Sequence, residues 1–131
     1  LAPELLAGLV LTESSFRKHV TSSVGAVGPA QVRPDYWSQF CGTADLRDPE
    51  ENIYCGAQIL AHYIERCGAE ECALSSYNIG PYSLRQRAGD RYVAKVGRWR
   101  DALETAPAAI APTGSAEVSV TGPAPRENIA L

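Results

Sequence analysis

The chain has 131 residues, four cysteines, no methionine and a formal net charge of −3. That length allows one domain at most, and the mild acidic balance excludes a global basic field of the kind nucleic acid attracts. No signal peptide or membrane span is visible, and a sequence without Met even at position 1 leads us to expect a processed product or a piece of something larger.

The first predicted element is a helix over about residues 3–15. From Pro3 to Thr12 the residues are almost all apolar, and Leu6 and Leu9 lie seven and four positions before Glu13. On a helix these three share one face, so Glu13 should point toward the core or a cleft. A carboxylate placed there is desolvated and its pKa rises. A carboxylic acid still protonated near neutral pH can serve as a general acid. Residues 17–33 carry Ser22, Ser23, Gly25 and Gly28 with little helical period and predict a loop or short hairpin. Gly25 and Gly28 would serve the backbone there by allowing positive φ.

A short helix is expected over 34–40, with Pro34 in its first turn. Asp48-Pro49-Glu50-Glu51 is a helix start, with Asp48 as N-cap and Glu51 completing a capping box. Ile53, Leu60, Ile64 and Cys67 give that helix an apolar stripe, and Gly68 ends it. Residues 71–79 form a shorter helix. The last helix runs over 91–103, with Tyr92, Val96, Trp99 and Leu103 on one face. Phe16 and Tyr54 are assigned to packing, and His19 and His62 to solvent. Arg85, Arg87, Arg91, Lys95, Arg98 and Arg100 stand against Asp90 alone; a solvated helix face is the simpler account, attraction to an anionic polymer the functional one. From Thr105 onward prolines, glycines and small residues dominate, too few large apolar groups to offset ordering entropy. The expected organisation is a mostly α domain over 1–104 and an extended tail or linker over 105–131 that docks on a protein partner.

The cysteines are Cys41, Cys55, Cys67 and Cys72. Their spacing fits no zinc site, so no metal is expected. Cys55 and Cys67 lie roughly 18 Å apart along one predicted helix, too far for a disulfide, which excludes that pairing and with it 41–72. Of the two remaining connectivities, Cys41–Cys55 with Cys67–Cys72 uses only local loops and is preferred over Cys41–Cys67 with Cys55–Cys72. Two bridges would mean an oxidising compartment; four reduced buried cysteines are the alternative.

The stretch from Glu13 to Pro34 holds Glu13-Ser14, Phe16, Ser22, Gly25-Ala26, Gly28, Gln31 and Pro34 in ungapped register. Asn52-Ile53 with Gly56, then Ser76-Tyr77-Asn78-Ile79-Gly80, then Arg91-Tyr92-Val93 with Val96, follow in order. This series, over about residues 3–100, resembles the catalytic domain of the soluble lytic transglycosylases, whose fold is similar to goose-type lysozyme. The family's domain normally begins with one more helix. Arg17-Lys18 and Pro29-Ala30 depart from the family pattern beside the glycan cleft, which bears on substrate preference.

The resemblance implies a lysozyme-like helical domain that cleaves the MurNAc-GlcNAc bond of peptidoglycan and closes a 1,6-anhydro ring, with no cofactor. It implies that Glu13 acts first as acid and then as base, and that Ser22 holds the substrate's acetyl group. Gln31, Tyr77, Asn78 and Tyr92 would complete substrate binding. The implied location is the periplasm or cell wall, or a virion that penetrates it. A hydrolytic muramidase, a chitinase-like hydrolase and a non-catalytic peptidoglycan-binding or structural subunit are the rival expectations.

Overall fold

The computed structural model describes residues 1–80 and 86–106. Five helices follow in order: α1 (Pro3–Ser14), α2 (Pro34–Trp37), α3 (Pro49–Cys67), α4 (Glu70–Ile79) and α5 (Gln86–Glu104). Among the described residues there is no extended strand pair. The expected hairpin is a loop pinched by two isolated antiparallel bridges, Thr21 to Val27 and Val27 to Val32. Helical structure therefore dominates, as expected. Almost all of the tail expected over 105–131 lies outside the described residues. Thr105 and Ala106 finish α5, donating their N–H groups to Asp101 and Leu103.

α3 is the central element. It starts where Asp48 caps it, the carboxylate accepting from the Glu51 N–H at 2.9 Å, and it stops at Gly68 with φ 74°. The reciprocal arm of the capping box is not made: the Asp48 N–H goes to the Asp45 carbonyl instead. Its buried positions also differ from the expected stripe. Asn52, Cys55, Gly56, Ile59, Leu60 and Tyr63 are buried, whereas Ile53 and Ile64 are only half-buried. The helix is covered on most sides, so small and polar residues serve as core.

α1 packs along α5, and α4 bridges α3 and α5. The α1–α5 contact is a backbone approach at Gly8. A Cβ there would stand 2.9 Å from the Val96 carbonyl and 3.2 Å from the Arg100 nitrogen. Gly8→Ala should therefore destabilise the chain by about 1–3 kcal/mol through overpacking, although Ala is the better helix former. Urea denaturation would read this; unchanged stability would mean that the two helices are not held at this spacing.

Two disulfides hold the remainder. Cys41 and Cys55, with Cα atoms 5.5 Å apart, tie the segment after α2 to the first turns of α3; Cys67 and Cys72, 5.8 Å apart, close the α3–α4 turn. This is the preferred local connectivity, and no described cysteine is free.

Several local expectations change. α2 ends at Trp37 rather than residue 40, and α5 begins at Gln86 rather than 91. Trp99, expected on the packed face of α5, is 41% exposed. Phe16, assigned to packing, is exposed as well, because Ser15 and Phe16 leave α1 through two consecutive left-handed conformations (φ 55° and 61°) that turn the ring outward. His62, assigned to solvent, is half-buried with its ring against Phe40 and Tyr63.

Candidate active site

Glu13 occupies the last turn of α1 and lines an open cleft of about 510 Å³. Two anchors hold the end of that helix. Ser14, fully buried, donates its hydroxyl to the Pro29 carbonyl at 2.7 Å and so ties α1 to the loop that forms the cleft floor. Arg17 folds back to donate Nε to the Ser14 carbonyl at 2.9 Å. Across from the helix end, Tyr92 of α5 donates its hydroxyl to Glu13 Oε2 at 2.7 Å.

Burial pushes the Glu13 carboxyl from 4.5 up to about 7. The Tyr92 hydrogen bond and the charge of Lys95 pull in the other direction but do not prevail. The reason is that removing a carboxylate from water costs more than one hydrogen bond and one exposed cation return. Tyr92 and Tyr77 are in turn pushed well above the ordinary tyrosine range, by burial first and by Glu13 second. Both phenols therefore stay protonated, and Tyr92 remains a donor. Tyr92→Phe removes a bond that favours the charged carboxylate, so the Glu13 pKa should rise further. The alkaline limb of a kcat/KM profile should then move to higher pH; a limb that stays in place would separate Tyr92 from the titration of the acid.

The cleft floor depends on Asn52, the buried asparagine in the first turn of α3. Its Oδ1 accepts from the Ala30 N–H at 2.8 Å, and its Nδ2 donates to the carbonyls of Val27 (2.8 Å) and Leu46 (2.9 Å). One amide thus fastens the glycine-containing loop and the segment before α3 to the same point. Gly28 makes room for it: at φ 76°, a Cβ there would lie 2.3 Å from the Asn52 amide nitrogen. Gly56 does the same one turn further along α3, where a Cβ would reach Ala30 at 2.6 Å and the Tyr77 hydroxyl at 3.0 Å.

The residues singled out in the sequence converge on this site. Ser22, Gln31, Tyr77 and Asn78 line the same cleft as Glu13, and Tyr92 touches Glu13 directly. Their hydrogen bonds limit what each can offer. Ser22 Oγ accepts from the N–H groups of Ala26 (3.1 Å) and Val24 (3.3 Å), which leaves its own proton free to donate. Gln31, held at φ 51°, spends its amide nitrogen on the Gly28 and Val20 carbonyls; only its Oε1 remains for a ligand. Tyr77 donates to the Ala30 carbonyl at 2.7 Å, so it positions the floor and presents an acceptor. Asn78 is exposed and free of side-chain bonds among the described residues.

Sequence reasoning missed the opposite wall. Arg33, Tyr36 and Trp37 line the cleft, with the Arg33 guanidinium 4.3 Å from the Tyr36 ring centroid. The signal was available as an Arg and a Tyr three residues apart across a helix start. Asp35, the nearest other acid in the loop region, pairs with Arg33 and does not line the cleft. Among the described residues no group of His, Cys, Asp and Glu is arranged to hold a metal.

The helical fold, with a half-buried acid at a helix end facing a tyrosine donor above a loop pinned to the central helix, is of the lysozyme-like class. Residues 1–98 match the transglycosylase SLT domain family, and the chain belongs to it. It is 41% identical over 80 residues to the transglycosylase of Enterobacteria phage PRD1. That match takes in 61% of this chain and 30% of the phage protein, so the chain spans less than a third of this relative. The fold is similar to that of an inactive mutant of the lytic transglycosylase Slt from Pseudomonas aeruginosa. The TM-score is 0.63 at 22% identity, covering 74% of this chain and 20% of that one.

Proposed function

We propose that the chain cleaves peptidoglycan glycan strands by lytic transglycosylation, with Glu13 as its one acid and base. The observation that carries this is the state of Glu13: a carboxyl with a pKa near 7, hydrogen-bonded to Tyr92, and the only acid lining the cleft among the described residues. Most glycosidases need two carboxylates, either about 5 Å apart or far enough apart to hold a water. A single acid suits a reaction in which the substrate supplies its own nucleophile.

In that reaction the protonated Glu13 gives its proton to the oxygen bridging MurNAc and GlcNAc as the bond to C1 breaks. Tyr92, donating to Oε2, steadies the carboxylate that this leaves. Ser22, which lines the cleft with its proton free to donate, would hold the substrate's acetyl carbonyl while positive charge develops at the sugar. Glu13, now a base, takes the proton of the C6 hydroxyl, whose oxygen attacks C1. The 1,6-anhydro ring closes and no water is consumed.

The phage relative supports a place in a virion that opens the cell wall, and the two disulfides support folding outside a reducing cytoplasm. No described helix is long and apolar enough to cross a membrane. A protein partner for the segment beyond Ala106 belongs to the same reading.

Mass spectrometry of products from purified peptidoglycan tests the central claim. Ends carrying 1,6-anhydroMurNAc are expected. Ordinary reducing ends would convert the reading to hydrolysis, and binding without release would make the chain a non-catalytic wall-binding subunit.

A further inference from the structure

Glu13 and Arg33 are the only titratable acid and fixed cation lining the cleft among its described residues; the rest of the lining is hydroxyl, amide, aromatic and aliphatic. Glu13 is largely neutral over the lower part of the physiological range. The persistent charge in the cleft is therefore positive, and it is held with some care. The Arg33 guanidinium carbon lies over the Tyr36 ring, 4.3 Å from its centroid, a cation–π contact that arginine favours. Asp35 takes only one of its nitrogens, Nη2, at 2.9 Å, through a carboxylate that is itself 59% exposed. Such an exposed pair contributes little. The buried Nε has no acceptor among the described residues. The guanidinium is oriented, only partly neutralised, and keeps donors to spare.

A glycan backbone of neutral acetamido sugars has no use for such a cation. The muramyl sugar differs from its neighbour by a lactyl arm, which ends in a carboxylate or carries a peptide bearing carboxylates. We propose that Arg33, backed by Tyr36, is a specificity-determining residue that binds a carboxylate on the lactyl arm of the muramyl sugar, so that the cleft selects anionic glycan over neutral chains. This deepens the glycan-cleaving reading and rests on it. A charge-assisted hydrogen bond of this kind corresponds to roughly a tenfold or greater preference in affinity.

The test uses three preparations of one glycan: chains with intact stem peptides, chains stripped to the free lactyl carboxylate, and stripped chains whose carboxylates are capped as neutral methylamides. Dissociation constants are measured in the Glu13→Gln background with Arg33 retained or changed to Gln or Lys, so that binding is read whether or not the chain turns over. Tighter binding of a carboxylate-bearing chain than of the capped chain, by about tenfold, is expected with Arg33. Arg33→Gln should remove that preference while leaving affinity for the capped chain unchanged, and Arg33→Lys should restore part of it. Preference for stripped chains assigns the lactyl carboxylate itself; preference for intact chains assigns the peptide. Equal binding of all three chains overturns the proposal, as does an equal loss on charged and capped chains in Arg33→Gln. Turnover of the three preparations by the wild type is measured beside this: no cleavage of any of them, with the charge preference intact, would sink the catalytic reading and leave the specificity.

Discussion

Glu13→Gln should lower turnover of peptidoglycan at pH 6 by about two to four orders of magnitude, the range a positioned general acid contributes. Gln keeps the size of the side chain and can still accept from Tyr92, so the cleft should retain its shape and its substrate. What it loses is a transferable proton, and with it the base that closes the ring. The loss should therefore fall in kcat with KM little changed. In the wild type, the acid is present only below its pKa of about 7. Activity should accordingly fall about tenfold per pH unit above that point. A variant that loses less than tenfold, or a wild type whose rate keeps climbing to pH 9, would remove Glu13 from the role of acid.

The same substitution should make the protein more stable, and only on one side of the pH scale. In the unfolded chain Glu13 titrates near 4.5, in the native chain near 7. Between those values the unfolded state has released a proton that the native state still holds, so wild-type stability falls as pH rises through the window and levels off above it. The full penalty, from that gap at 1.36 kcal/mol per unit, is on the order of 3 kcal/mol. Gln is neutral throughout and carries no such penalty. Urea denaturation at pH 8 should find Glu13→Gln the more stable protein by up to that amount. At pH 4, where both side chains are neutral, the two should agree. Equal stabilities at pH 8 would mean that the carboxylate is better solvated than its burial implies. A group retained at this cost in stability is kept for what it does.

The acid itself was legible from one helical face. Leu6, Leu9 and Glu13 share the inner side of α1, and the structure places the first two in the core and the third at the cleft. The start of α3 was equally clear, because Asp48 and Pro49 do their work locally. Less legible was anything that depends on close approach. Gly89 falls outside the helix expected over 91–103, yet it lies inside α5, where a Cβ would fall 2.3 Å from Ser75 Oγ. The glycine admits a neighbouring helix; it does not end its own. Asn52 and Gly56 carry no apolar signal and yet are buried in α3 beside Ile59 and Leu60, so a stripe drawn through large aliphatic residues found Leu60 and missed them. The family motifs brought Tyr92 into the list of site residues, but its contact with an acid 79 positions away arises only from the docking of α5 on α1.

That docking has a consequence for when the chain can act. The acid lies in α1 and its phenol in α5, and the two helices meet through the bare backbone at Gly8. Until α5 docks on α1, Glu13 lacks its hydrogen bond to Tyr92 and the site is incomplete. Chains still emerging, misfolded or clipped ahead of α5 would carry every residue of the acid's own motif and still lack the tyrosine that meets it. On the proposed function, the assembled acid and its phenol would exist only once the fold is complete.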